Sequence, residues 1–162
     1  MNKEPCVRLA VKEDADNLIR FNRAMARETE NKELIEEVIT SGVKNLLETP
    51  HHGFYVIAEV SEEVVGSLMV TTEWSDWRNG LFWWIQSVYV LPDHRRKGIY
   101  RRLYEFVKER ALEDQSICGF RLYVEKENLT AQKTYESLGM GEAGYKIYEE
   151  LKENVRFLEG PD

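Results

Sequence analysis

The stretch SVYVLPDHRRKGIYRRLYEF, Ser87–Phe106, decides how this chain folds. It begins as an apolar, β-branched run typical of a strand, and it breaks at Pro92, which has no backbone N–H for a strand ladder. From Gly98 onwards apolar residues recur at helical spacing. The sequence therefore predicts a strand, a tight basic turn and a helix in immediate succession.

The predicted turn has the features of an anion site. Gly98 removes a side chain where the helix begins, and the first amides of a helix are unsatisfied donors at the positive end of its dipole. Amides in this position bind phosphate. Arg95, Arg96 and Lys97 add positive charge beside them. These residues alone also fit a solvated basic helix start without a ligand.

The overall charge makes this basic turn conspicuous. The 162 residues include 29 acidic and 22 basic side chains, for a net charge of -7. Such a background argues against nucleic acid and against an anionic membrane surface as partners. The length suits a single domain over residues 1–162. We expect a reduced, cytoplasmic protein. The chain has only two cysteines, its N-terminus has no apolar signal region, and no apolar stretch is long enough to span a membrane.

The remaining patterns predict an α+β fold with a mixed, largely antiparallel central sheet flanked by helices. Two helical stretches follow the first strand, the second bent at Ser41–Gly42, and residues 157–162 read as a frayed tail. Strands are predicted at residues 6–11, 53–60, 64–74, 81–90, 120–125 and 145–151, and later helices at 98–112 and 128–139.

Other familiar site patterns fail in context. Gly139–Gly144, GMGEAG, matches a dinucleotide fingerprint by letter, but it follows a predicted helix and precedes a predicted strand, which is the reverse of what that fingerprint requires. The three histidines and two cysteines have no zinc-ligand spacing, so we predict no metal site.

Two motifs resemble the GNAT N-acetyltransferase superfamily. Val88-Tyr89-Val90 followed by Arg95-Arg96-Lys97-Gly98-Ile99-Tyr100 is similar to the V-x-V strand and R/Q-x-x-G-x-G/A turn of its motif A, with Tyr100 in place of the usual Gly or Ala. A second region resembles N-x-x-A-x-x-x-Y-x-x-x-G-F through Asn128, Ala131, Tyr135 and Gly139, with Met140 in place of Phe. The resemblance covers nearly the whole chain in element order and implies α/β/α layers.

The resemblance implies acetyl-CoA as co-substrate. In that family the turn amides bind the pyrophosphate, and the strand backbone around Val88 and Val90 pairs with the pantetheine arm. The coenzyme-binding residues implied in this chain are Val88, Tyr89, Val90, Arg95, Arg96, Lys97, Gly98, Ile99, Tyr100, Arg101, Asn128 and Tyr135.

The implied reaction is attack of an amine on the acetyl thioester. At pH 7 an alkyl amine with a pKa of about 10.4 is neutral about once in two thousand molecules, so a base should assist. Tyr135 matches the tyrosine that protonates the leaving sulfur, although a merely packed ring is the alternative. Gln86 lies where many members carry glutamate, and its amide orients water or substrate. Glu28 is the candidate base, with Glu30, Glu73 or a water relay as alternatives.

The sequence says less about the residues that bind the acceptor amine. Trp83 and Trp84 are adjacent on a strand and must face opposite ways, so one of them faces a cleft or a dimer surface, which leaves a homodimer open. We expect an acetyltransferase whose acceptor is an amine of a small molecule or a protein. A non-catalytic acyl-CoA-binding regulatory module is the alternative.

Overall fold

A computed structural model describes residues 3–161. Its contacts form two compact units, one of residues up to Leu122 together with Phe157 onwards, and one of Tyr123–Arg156. In the first unit the strands are β1 (Cys6–Leu9), β2 (Gly53–Val60), β3 (Glu63–Ser75), β4 (Gly80–Val90) and β5 (Ile117–Arg121), and the helices are α1 (Ala15–Glu30), α2 (Glu36–Glu48) and α3 (Ile99–Leu112). The second unit contains α4 (Leu129–Ser137). None of the helices among the described residues is both long and apolar enough to cross a membrane.

The five strands form one sheet in the order β1-β2-β3-β4-β5. Neighbours pair antiparallel except β4 and β5, which are parallel. A parallel pair needs a crossover connection, and α3 lies in that crossover between β4 and β5. The predicted α+β class with a mixed, largely antiparallel sheet is therefore confirmed.

Strand alternation divides the sheet into two faces. Tyr55 and Ile57 are buried in a core with Leu18 and Phe21 of α1 and with Val43 of α2. On the opposite face Trp83 packs edge-on against Phe54, and Tyr104 of α3 packs edge-on against Phe120. Trp83 is buried and Trp84 is half-buried, which confirms that the two side chains do not share a face.

The predicted bend at Ser41–Gly42 is absent, because α2 runs unbroken through both residues. Gly42 costs a helix about 1 kcal/mol relative to Ala, and the burial of the nearby Val43 and Leu46 offsets this cost.

The fifth strand begins at Ile117, three residues before the start at residue 120 that the sequence predicted. Gly119 packs so closely on Phe82 that an added Cβ would lie 2.8 Å from the ring, and this contact fixes β5 against β4.

Two expectations for the C-terminal part are wrong. Residues 145–151 do not form a strand, and their apolar side chains are exposed, Tyr148 at 91%. Residues 157–161 are not frayed. The Ile35 N–H donates to the Phe157 carbonyl at 2.9 Å, and the Glu159 N–H donates to the Glu33 carbonyl at 2.8 Å. An alternating pattern such as that of residues 145–151 forms no strand unless another strand pairs with it. Residues 157–161, in contrast, have a hydrogen-bonding partner in the segment before α2.

Candidate functional site

The sheet opens between β4 and β5. The parallel ladder ends at the pair Trp84 and Arg121, yet β4 continues to Val90. In the described part of the chain, Ile85–Val90 has no β5 partner, so the β4 edge facing β5 presents N–H and C=O groups without a ladder. An extended ligand binds such an edge through main-chain hydrogen bonds.

A β-bulge lies in this unpaired part of β4. Gln86 pairs with Met69 and Tyr89 pairs with Ser67, so β4 carries one more residue than β3 across this interval. Ser87 adopts a positive φ of 51°. Bulges redirect side chains and are frequent at active sites. Gln86 precedes the bulge directly, and its amide donates to the Thr71 hydroxyl at 3.1 Å. Its carbonyl oxygen has no hydrogen-bond donor among the described residues and is available to a water or a substrate N–H.

The turn after β4 presents free amides. Gly98 has φ 78° and ψ 13° and begins α3 without a side-chain cap, and Arg96 also has a positive φ, 62°. Within residues 3–161, the N–H groups of Arg96 to Ile99 donate to no carbonyl or side chain. Successive free amides at a helix N-terminus form the concave donor array that binds phosphate. The structure therefore fits the anion site predicted from the sequence.

The cations beside the turn divide into two groups. Arg96, Lys97 and Arg101 form no ion pair with any acidic side chain that the structure describes, so their charges are available to a ligand. Arg102 contacts Glu4 at 3.3 Å, and Arg95 is engaged more fully.

Arg95 connects the end of β4 to the end of α1. Its guanidinium donates to the Val90 carbonyl at 2.8 Å and to the Glu28 carboxylate at 2.7 Å, and it lies over the Tyr89 ring at 5.4 Å. The Tyr89 hydroxyl also donates to Glu28, at 2.9 Å. Burial works to raise the pKa of Glu28, but the hydrogen bonds from Arg95 and Tyr89 outweigh it and lower the pKa below its usual value. A lower pKa makes Glu28 a weaker base.

Tyr100 packs along its own helix. Its ring is stacked with that of Tyr104, with centroids 6.2 Å apart and planes 10° apart. This is the neighbour that an (i, i+4) spacing provides. The bulky side chain that replaces the family's small residue is therefore held against the next turn of α3.

The second unit carries the other motif. The Asn128 side chain accepts a hydrogen bond from the Ala131 N–H at 3.1 Å and caps α4, as its position predicted. Tyr135 lies on α4 and is half-buried, and burial raises the pKa of its phenol. The phenol therefore stays protonated at neutral pH. Gly139 ends this segment with φ 100°.

Sequence reasoning named Glu73 as an alternative base but missed its ion pair, which lies on the sheet face that also bears Tyr55 of β2. Glu73 pairs with Arg121 at 2.5 Å, and the Arg121 guanidinium lies 3.7 Å above the Phe82 ring centroid. No local pattern signalled this ion pair, because Glu73 and Arg121 lie 48 positions apart in the chain.

Comparison with known proteins places these features in a family. A profile described as the Acetyltransferase (GNAT) family matches residues 15–140. A crystal structure of a possible acetyltransferase from Clostridium difficile 630 is 48% identical, with a TM-score of 0.85, and the match covers 93% of this chain and 99% of that one. An aminoglycoside N-acetyltransferase in complex with CoA is 15% identical and shares the fold, with a TM-score of 0.72 over 94% of this chain and 97% of that one.

A curated relative matches over a shorter region. Streptothricin acetyltransferase from Escherichia coli is 30% identical over 91 residues, which is 56% of this chain and 49% of that protein. The chain thus spans about half the length of this relative. The family profile, in contrast, includes α1, the open β4 edge, the amide-lined turn and α4. The chain belongs to the acetyltransferase (GNAT) family.

Proposed function

We propose that this chain transfers an acetyl group from acetyl-CoA to a primary amine. The observation that carries the proposal is the continuity of two binding features, the unpaired β4 edge after Trp84 and the free amides from Arg96 to Ile99. Acetyl-CoA has an extended pantetheine arm followed by a diphosphate, so it requires a strand edge and then an anion site in this order. Family membership supports the same assignment.

The coenzyme-binding residues act in three ways. The backbone around Val88 and Val90 pairs with the pantetheine arm, and the amides beginning at Arg96 bind the diphosphate. Lys97 and Arg101 add charge, because neither has an acidic partner within the described chain. Tyr89 and Arg95 contribute through the main chain, since their side chains are bound to Glu28.

We assign roles near the reacting groups to three side chains, of which only Tyr135 transfers a proton. Bound acetyl-CoA supplies the thioester that the amine attacks. Tyr135 on α4 donates a proton to the departing sulfur, a role supported by its motif position and by the burial that keeps the phenol protonated. Gln86 positions the amine or a water through its free carbonyl oxygen. Glu28 is too strongly paired to be a good base, so we assign it the placement of Arg95 and Tyr89, and the amine proton passes to water.

A small-molecule amine is the proposed acceptor. The Escherichia coli relative is a streptothricin acetyltransferase, which supports such a substrate, and the net charge of -7 favours a cationic one. We place the reaction in the cytoplasm, where the two free thiols, Cys6 and Cys118, would stay reduced.

The first test measures coenzyme binding and turnover separately. Acetyl-CoA at one hundred times its Kd should stabilise the protein by about 2.7 kcal/mol and raise its Tm by roughly 5–10 °C. An unchanged Tm would contradict the coenzyme assignment. Release of free thiol with a panel of amines then establishes catalysis. A raised Tm without thiol release for any amine would favour the acyl-CoA-binding regulatory module instead.

Gly98→Ala should weaken acetyl-CoA binding at least about tenfold, because the new Cβ occupies the ligand's approach to the turn amides. The protein itself offers no obstacle, since an added Cβ at Gly98 meets no heavy atom within 4 Å. The left-handed φ alone should cost about 1 kcal/mol of stability. Titration of acetyl-CoA by calorimetry measures the affinity.

Gly160→Ala is the matched control for that variant. Gly160 also has a left-handed φ, 95°, and open space around an added Cβ, but it lies outside the turn. It should lose similar stability and keep full acetyl-CoA affinity. Equal affinities of Gly98→Ala and the wild type would place the diphosphate elsewhere.

A further inference from the structure

The last carbonyl of the open β4 edge is covered by a side chain of the same protein. The Leu91 N–H donates to the Val65 carbonyl at 2.8 Å, so the backbone groups of Leu91 point towards β3. Hydrogen-bonded and non-hydrogen-bonded pairs alternate in an antiparallel ladder, so the preceding residue, Val90, points its carbonyl away from β3 and into the open edge. Arg95 Nε donates to this carbonyl at 2.8 Å.

Two further contacts hold the Arg95 side chain in this position. A terminal nitrogen of its guanidinium donates to the Glu28 carboxylate at 2.7 Å, and the guanidinium carbon lies 5.4 Å from the centroid of the Tyr89 ring. The other carboxylate oxygen of Glu28 accepts from the Tyr89 hydroxyl at 2.9 Å. Tyr89 is buried and packs against Phe21 of α1, with ring centroids 5.2 Å apart, so both partners of Arg95 are themselves anchored.

This arrangement places Arg95 in the path of the coenzyme. The proposed function pairs the pantetheine arm with the edge up to Val90 and places the diphosphate on the amides from Arg96 to Ile99. Arg95 lies between these two sites in the chain. An amide nitrogen that paired with the Val90 carbonyl would lie about 2.9 Å from its oxygen, and Arg95 Nε already lies at that distance.

The Arg95 side chain can leave this position without disturbing the core. The side chains of Arg95 and Glu28 are 44% and 39% exposed, so water can replace each of their contacts. Ion pairs this exposed are weak, and a single charged hydrogen bond adds a modest amount, so the closed form is favoured by a small factor. A ligand that requires the open form loses affinity in proportion to the fraction of molecules that are closed.

We propose that Arg95, held by Glu28, is a latch on the pantetheine edge, and that acetyl-CoA binds after the guanidinium leaves the Val90 carbonyl. The inference rests on the proposed function and deepens it, because it makes Glu28 a positioning residue that sets coenzyme affinity through Arg95. The latch lowers the affinity for any extended acyl-pantetheine, whichever amine is acetylated.

The opposite charges of Arg95 and Glu28 make the inference testable. Glu28→Gln weakens the latch and removes a negative charge, whereas Arg95→Met removes the latch and a positive charge. Methionine keeps an unbranched apolar side chain over the Tyr89 ring. S-acetylpantetheine contains the arm and the thioester but no phosphate, so a change of protein charge has no direct Coulomb effect on its binding. A shared gain in affinity therefore reports the latch.

The experiment titrates S-acetylpantetheine into the full chain by calorimetry. Arg95→Met should lower the Kd about fivefold and Glu28→Gln about threefold, since a glutamine still accepts a weaker hydrogen bond from Arg95. The double variant should gain no more than Arg95→Met alone, because both substitutions act on one latch.

Glu33→Gln is the matched control. It weakens the ion pair between Glu33 and Arg27, whose side chains are 48% and 51% exposed and which lies near the same end of α1. Its Tm should change as little as that of the latch variants, and its Kd for S-acetylpantetheine should equal that of the wild type.

The possible results separate the latch from the proposed function. Unchanged or higher Kd values in both single variants would mean that the bridge only shapes the edge, and shifts of opposite sign would mean a charge effect; either result overturns the latch. Gains that multiply in the double variant would also overturn it. In each of these cases a raised Tm in acetyl-CoA would leave the proposed function intact. If acetyl-CoA raises the Tm of neither the wild type nor Arg95→Met, the proposed function fails and the latch fails with it.

Discussion

Tyr135→Phe is expected to lower kcat for acetyl transfer by about a hundredfold to ten-thousandfold, the usual contribution of a positioned general acid. Without the hydroxyl the thiolate must leave unprotonated or take a proton from water. The Phe ring keeps the packing of α4, so acetyl-CoA affinity should remain within about threefold of the wild type. Because burial raises the pKa of Tyr135, the wild-type phenol retains its proton throughout the neutral range, and only the wild type should lose kcat at strongly alkaline pH.

Tyr148→Phe provides the control for this variant. Tyr148 belongs to the same unit, is 91% exposed and lies outside both motifs, so loss of its hydroxyl should leave kcat unchanged. Single-turnover thiol release at saturating acetyl-CoA isolates the chemical step from product release. A Tyr135→Phe variant with the kcat of Tyr148→Phe would remove the phenol from the mechanism.

The geometry of the turn after β4 was predictable because its information is local. A strand, a Pro, a run of cations and Gly98 follow one another within a dozen residues, and each has one physical meaning at its position. The structure gives Gly98 the left-handed φ and leaves the adjacent amides free, as this pattern requires. The bulge at Ser87 was not predictable, since a serine at φ 51° carries no glycine signal.

The missed features depend on contacts between distant parts of the chain. The alternation from Tyr145 to Leu151 is a strand pattern, but no pairing strand accepts it among the described residues. Phe157 and Glu159 have no strand pattern, yet they pair with residues that precede them by more than a hundred positions. The pairing of Glu28 with Arg95 likewise joins two segments that are far apart in the sequence, and with the Tyr89 hydrogen bond it lowers the pKa of the carboxylate that the sequence suggested as a base.

Asp14→Asn is expected to lower the free energy of unfolding by about 2–3 kcal/mol at pH 7, since it weakens two charged hydrogen bonds at once. Asp14 is 5% exposed and accepts hydrogen bonds from both terminal nitrogens of Arg8, at 2.8 and 3.0 Å. It also accepts one from the Val11 N–H at 2.7 Å. Arg8 lies on β1 and also donates to the Glu59 carboxylate of β2 at 2.7 Å. Through Arg8, the Asp14 carboxylate therefore holds the start of α1 to two strands.

The pH dependence distinguishes this ion pair from simple packing. Burial works to raise the pKa of Asp14, but the hydrogen bonds from Arg8 and Val11 outweigh it and lower the pKa below its usual value. A lowered pKa in the folded state gives stability that is complete above the unfolded value, near 3.9, and is lost as the pH falls through the folded value. The difference between wild type and Asp14→Asn should therefore be largest at neutral pH and shrink in acid.

Urea unfolding at a series of pH values measures this difference, and Asp16→Asn is its matched control. Asp16 lies two residues later in the first turn of α1, is exposed and has no ion pair among the described residues. Its replacement should change stability by less than about 1 kcal/mol, the limit set by the helix dipole. A stability loss in Asp14→Asn that stays the same from neutral pH to pH values below about 3 would mean that the shape of the side chain, and not its charge, holds α1 to the sheet.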